Sequence, residues 1–290
     1  MLACTRERAM ASAYARLGRA RAVRHAFGET LVWKDGAIVG SQGEWKLLGN
    51  GATADVYGND EMAVKLFKPS QTMTSEQIPE QIAAEGNMME ELAGAVPTFR
   101  GLVSDAEGIL VGLAMDQYPK TDLTLAGALT EQVQESLLRV IKEVCRKVLC
   151  VDVKPENFVV RDGDVRMIDL GSDFCMRAES VDYEARVDVC VLTFCVFACN
   201  GPKTGAARAP TVMLDRLLED GKPRPEVVAR LTAMGATPHG EGYWTNLATA
   251  PCVRQKFLVP ARQLALMQGG YGDFVGVLNA LAEKLGKRSS

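Results

Sequence analysis

Histidine is nearly absent, with two in 290 residues, and the eight cysteines contain no C-x-x-C pair. Those gaps remove the ligand spacings on which zinc sites are built. Long apolar runs are missing too. The longest, Val189 to Cys199, is eleven residues interrupted only by Thr193, too short for a bilayer span. It reads as a buried helix. Net charge is −3 with 24% charged residues, so no global basic field points to nucleic acid. Neither a signal-peptide pattern nor an internal repeat is evident. With scattered thiols this predicts an intracellular, cytoplasmic protein with reduced cysteines.

What the chain does have is an ordered set of groups suited to phosphoryl transfer. Cys150-Val-Asp-Val-Lys-Pro-Glu-Asn157 is followed, after one short hairpin, by Asp169-Leu-Gly171. Phosphoryl transfer needs one carboxylate to orient the attacking hydroxyl, and hard oxygen ligands to hold magnesium on the triphosphate. Asp152 serves the first need; Asn157 and Asp169 serve the second. Between them, Phe158–Arg161 and Val165–Ile168 read as paired strands around Asp162-Gly163, a strong hairpin signal. Read alone, D-x-K-P-E-N also fits a surface turn.

Upstream, Gly49-Asn-Gly51-Ala-Thr-Ala54-Asp-Val56 is a glycine-bearing loop of the kind that brings backbone N–H groups to a phosphate. Met62-Ala-Val-Lys65 then reads as a strand ending on a lysine. Alone, Lys65 also reads as a solvated strand residue. Ile78 to Leu92 has helical character, and Pro79 suits a helix start.

These segments resemble the protein kinase-like superfamily: C-V-D-V-K-P-E-N stands for its catalytic loop, D-L-G for its metal motif, and A-V-K for its V-A-I-K. The resemblance implies an α+β, two-lobed fold, with a five-stranded antiparallel N-lobe and one main helix over a mostly helical C-lobe. Its boundaries would be a basic extension at 1–39, the N-lobe and hinge at 40–118 and the C-lobe at 119–290. ATP and Mg²⁺ are the implied cofactors. Asp152, Lys154, Lys65 and Glu85 would be catalytic, with Glu85, or else Glu90, pairing with Lys65. Gly49, Gly51, Ala54, Val56, Ala63, Lys65, Met115, Asp116, Tyr118, Asp122 and Val159 would hold the nucleotide, with backbone of Asp116 to Tyr118 meeting adenine. Asn157 and Asp169 would bind the metal. Asp188, leading the apolar helix, would tie down the catalytic loop.

Departures from the family pattern are specific. Ala54 replaces the third loop glycine, Cys150 the usual histidine, Val151 the arginine that receives an activation-loop phosphate, and Leu170 a phenylalanine. Only sixteen residues, 172 to 187, separate Gly171 from Asp188, and no A-P-E is present. Both the loop and its cationic receiver are reduced, which argues against switching by loop phosphorylation. Shortened chains of this type suggest a viral or parasite source.

Residues 1 to 25 carry six arginines against Glu7, with Met10, Tyr14 and Leu17 at helical spacing. This predicts a basic helix that meets an acidic partner, nucleic acid or lipid headgroups, or packs on the small lobe. Thr30 to Val39 has room for an extra hairpin. Downstream, helical rhythm runs through 212–219, 225–234, 260–267 and 273–285, and His239 stands isolated in a loop. Three functions compete: a Ser/Thr protein kinase acting on a protein substrate, favoured by Lys154 two after Asp152; a small-molecule or lipid kinase, favoured by the short segment; and a nucleotide-binding pseudokinase scaffold.

Overall fold

The computed structural model describes residues 31–70, 73–119, 123, 127–150, 153–170, 175–177, 181–200, 210–235, 276, 278–279 and 281–283, with backbone alone at 175–177, 199–200 and 235. The basic segment at 1–25, Asp122, Asp152, Gly171, His239, Tyr243, Trp244 and the helix expected at 260–267 lie outside these residues. The fold is α+β. It divides into two compact units, one within Met1–Ala93 and Pro97–Tyr118, the other within Gly94–Val96 and Pro119–Ser290.

The first unit is built on one sheet. Its strands are β1 (Leu31–Lys34), β2 (Ala37–Ile38), β3 (Lys46–Asn50), β4 (Ala54–Gly58), β5 (Met62–Phe67), β6 (Phe99–Ser104) and β7 (Leu110–Asp116), joined by helix α1 (Ile78–Glu91). The spatial order is β2-β1-β6-β7-β5-β4-β3. The sheet thus has seven strands where five were expected. The extra pair is the hairpin within 30–39, and β1 joins parallel to β6 through Leu31 opposite Val103. Its turn is Asp35-Gly36, with φ of 52° and 84°, the left-handed pair that a two-residue hairpin demands.

The hairpin covers one sheet face. Ile38, Val64, Val103 and Ala114 form an apolar cluster there, with Leu31, Trp33, Trp45, Met62 and Leu66 packed against it. Trp33 meets Trp45 edge-on at 5.3 Å and Tyr57 at 5.2 Å, geometries that aromatic rings favour.

The second unit contains α2 (Glu131–Cys145), β8 (Val148–Cys150), β9 (Phe158–Arg161), β10 (Asp164–Met167), β11 (Cys175–Arg177), α3 (Tyr183–Asn200), α4 (Thr211–Leu217), β12 (Leu218–Glu219), β13 (Lys222–Pro223) and α5 (Pro225–Gly235), with a 3-10 turn at Pro155–Asn157. Thr130 caps α2 by accepting the Val133 N–H on Oγ1 at 3.3 Å, the usual service of a threonine before the first turn. Asp162-Gly163 and Asp220-Gly221 close the β9–β10 and β12–β13 hairpins, again with positive φ at both residues. Aspartate and glycine tolerate that region best.

Helix α3 is apolar round most of its surface, and all its side chains from 185 to 198 are buried. Such a helix belongs inside a core. Phe194 stacks edge-on to Phe158 at 5.8 Å. No described helix is long and apolar enough to cross a membrane.

Asp188 is fully buried in α3. Its Oδ2 accepts from Arg230 Nε of α5 at 2.6 Å, and Arg216 Nη2 of α4 lies 2.8 Å from Oδ1. Arg216 also donates to Glu184 at 2.6 Å. The carboxylate therefore joins three helices. Burial raises its pKa above the ordinary carboxylate value, against the hydrogen bond from Arg230 and the charge of Arg216. The loop residues 151–152, which the resemblance ties to Asp188, lie outside the described residues. Removing one member of a buried charged set leaves the rest uncompensated. Asp188→Ala is expected to destabilise the second unit by about 3–5 kcal/mol, read from urea unfolding; a change below about 1 kcal/mol would contradict the bridging role.

Candidate functional site

Lys65 stands in the middle of β5, and its chain neighbours Ala63 and Phe67 share its face because side chains alternate along a strand. Cross-strand pairing extends that face. Val56 of β4 lies opposite Lys65, and Gly58 opposite Ala63. On β7, Leu113 lies opposite Lys65 and Met115 opposite Ala63. Directly paired residues project to the same side. The register therefore gathers Val56, Ala63, Lys65 and Met115 on one face, the one opposite the aromatic cluster.

Onto this apolar face the chain places a charge. Lys65 is 9% exposed and Glu85, from α1, is 3% exposed. Lys65 Nζ donates to Glu85 Oε1 at 2.8 Å and to Oε2 at 3.0 Å. The ammonium also lies 5.1 Å from the Phe67 ring centroid, within cation–π range. Glu90, the alternative partner, is exposed. Helix periodicity explains the choice: Ile78, Ile82, Glu85 and Met89 share the buried side of α1, whereas Glu90 turns away. Pro79 sits in the first turn and no side chain caps the start. The strand carrying Lys65 is fixed by a close approach. A Cβ on Gly112 would stand 2.3 Å from the Lys65 carbonyl oxygen, so β7 needs glycine there.

The glycine-bearing loop is a tight turn. Gly51 N–H donates to the Ala54 carbonyl at 2.8 Å, and Asn50 Nδ2 donates to Asp55 Oδ1 at 2.7 Å. Gly49 lies at an irregularity in the β3–β4 register. Ala54 is a buried strand residue opposite Phe67, so the third glycine of the family pattern is replaced where the backbone is already extended. In the segment expected to meet adenine, the Asp116 N–H donates to the Thr98 carbonyl and the Gln117 N–H to the Glu61 carbonyl, at 2.9 and 3.0 Å. Those two donors are therefore engaged within the unit. Arg100 pairs with the Asp116 side chain. Tyr118 is half-buried.

The second unit holds the remaining candidates. Lys154, half-buried, precedes the 3-10 turn, and its carbonyl accepts the Asn157 N–H at 3.0 Å. Asn157 is 5% exposed. Its own carbonyl accepts the Ile168 N–H at 2.8 Å, which brings the start of the Asp169 segment beside it. Asp169 has φ of +65°. The other described non-glycine residues in that region are each followed by glycine in a hairpin turn; Asp169 is followed by Leu170. Backbone held there without a turn to explain it marks a position set by its surroundings. Val159 is buried on β9 opposite Arg166. Among the described residues no cluster of three His, Cys, Asp or Glu is present.

Burying Lys65 and Glu85 separately costs far more than burying them together. Lys65→Met alone leaves a lone buried carboxylate and is expected to destabilise the chain by about 3–5 kcal/mol. Adding Glu85→Leu is expected to recover most of that loss. Chemical denaturation of both variants checks this, and additive losses would contradict a paired role.

No protein-family model matches this chain, and no curated protein matches it.

Proposed function

We propose that the chain is an ATP- and magnesium-dependent phosphotransferase with a two-lobed, protein kinase-like fold, and that it phosphorylates Ser and Thr hydroxyls of proteins. One observation carries most of the reading: the buried, two-point contact between Lys65 and Glu85 on a sheet face otherwise lined by Val56, Ala63 and Met115. That combination offers an apolar surface for a base and a positioned cation for phosphates.

In this reading Glu85 holds the Lys65 ammonium in one place, so the cation meets the triphosphate without searching rotamers. Asp152 accepts the hydrogen bond of the attacking hydroxyl and orients it. Lys154 offsets negative charge on the transferring group. Magnesium asks for one or two protein oxygens beside substrate phosphates, and Asp169 with Asn157 provides that number. When bound, the ion neutralises charge between phosphate oxygens. The segment from 172 to 187 is short, which also suits a small hydroxyl substrate.

The test is transfer of γ-labelled phosphate from Mg-ATP to basic and acidic acceptor proteins and to a pool of hydroxyl metabolites. Asp152→Ala is expected to lower transfer by about 10²-fold or more, the size of a positioned acid–base contribution. Asp169→Ala is expected to abolish it. Label on a metabolite assigns the small-molecule class instead. Wild-type turnover in either variant removes the site assignment. No transfer at all, with Mg-ATP still raising Tm, makes the chain a nucleotide-binding scaffold.

A further inference from the structure

The first turn of α3 buries an arginine that pairs with none of the described acids. Arg186 is 7% exposed, and its Nε is buried with no hydrogen-bond partner. Among the described residues it makes no ion pair. A guanidinium in such a place normally meets an anion, because burying its charge alone is costly.

The acids around it are already engaged, and helix geometry separates most of them from it. Glu184 and Asp188 stand two residues to either side of Arg186, about 200° round the helix. Both face Arg216, and Asp188 also faces Arg230, so that side is balanced at two acids against two arginines. Asp182 caps the helix, its Oδ1 accepting the Ala185 N–H at 2.9 Å. The face of Arg186 is marked instead by Cys190, one turn later. Cys190 Sγ lies 3.5 Å from Cys145 Sγ and 3.6 Å from the Cys150 carbonyl oxygen. Arg186 thus sits on the side of α3 that meets the end of β8, and among the described residues no acid pairs with it. The helix amino end adds positive potential in the same sense.

We propose that Arg186 forms a site for a phosphate-class anion beside the end of β8. A forked guanidinium matches two oxygens of a tetrahedral phosphoryl group better than it matches a halide. The proposal deepens the phosphotransferase reading, since it adds a second phosphate contact to the unit that carries Lys154. The anion is either free phosphate or a phosphoryl group carried on a hydroxyl amino acid.

Thermal melting of the full chain tests it without any turnover. Inorganic phosphate is titrated against chloride at fixed ionic strength, and O-phosphoserine is titrated in parallel. Wild type is expected to show a saturable rise of about 3 °C at tenfold excess over Kd, and Arg186→Met none. The tighter of the two anions identifies the source. The rise is expected to persist in the Lys65→Met, Glu85→Leu double variant. If the double variant loses the rise and Arg186→Met keeps it, phosphate binds at the proposed nucleotide site, which supports that reading and overturns this one. No rise in wild type also overturns it. In chloride alone, Arg186→Met is expected to be at least as stable as wild type, since it removes an uncompensated buried charge. If that variant does not fold, Arg186→Lys decides: it keeps the charge without the fork and is expected to bind at least several-fold more weakly, whereas wild-type affinity overturns the proposal.

Discussion

A lysine ammonium and a glutamate carboxylate, each almost wholly removed from water, can occupy the first unit only together. This constraint organises what surrounds them. For Glu85 to reach Lys65, α1 must present the side that also carries Ile82 and Met89. For Lys65 to point toward that helix, β5 must hold its register against both β4 and β7, because a slip of one residue would turn the lysine into the apolar cluster of Val64 and Ala114. Gly112 permits the approach of β7 that keeps this register. The opposite face is covered in part by the β1–β2 hairpin and the Trp33–Trp45–Tyr57 contacts, with Met62 and Leu66 half-buried there. The ion pair and the aromatic cover are two halves of one packing solution.

The second unit solves a related problem differently. Its central helix has no solvent face between 185 and 198, yet Arg186, Asp188 and Thr193 lie inside that stretch. Thr193 returns its hydroxyl to the Val189 carbonyl at 2.8 Å, so it needs no outside partner. Asp188 gathers arginines from two later helices and thereby sets how α4 and α5 pack on α3. Arg186 has neither device among the described residues, and for that reason it is the place where we propose an outside anion.

Much of this was legible wherever the determining contacts are short in sequence. Asp162-Gly163 announces its hairpin because both residues tolerate positive φ. The β5 strand follows from a run of apolar residues, and the buried side of α1 follows from the spacing of Ile82 and Met89, whereas the choice of Glu85 over Glu90 rests on the resemblance. The rest depends on pairings distant in sequence. Nothing local in Leu31–Lys34 says that it will run parallel to β6, so the strand count could not be read. The partners of Asp188 come from residues 216 and 230, and an aspartate beginning an apolar helix gives no hint of which arginines will reach it. Nor does the spacing of Cys145, Cys150 and Cys190 suggest that their groups meet. The engaged donors of Asp116 and Gln117 belong to the same class, since they depend on where Thr98 and Glu61 end up.

Energetics bear on whether Lys65 and Glu85 are scaffold or machinery. Ala54, Val56, Ala63, Phe67, Leu113 and Met115 line the same face, so a methionine and a leucine in place of the pair would sit among apolar neighbours of similar size. Buried ion pairs are commonly no better for stability than such replacements, and often worse. Stability alone therefore gives no reason for a charged pair there. The nucleotide proposed above gives one, because a ligand that combines a flat base with a chain of phosphates needs a fixed cation beside an apolar surface. The pair is held at two oxygens and backed by an aromatic ring, an arrangement that restricts the ammonium more than a single contact would. Restriction costs stability through lost side-chain entropy, and it is useful only if the charge must already be in place when a ligand arrives.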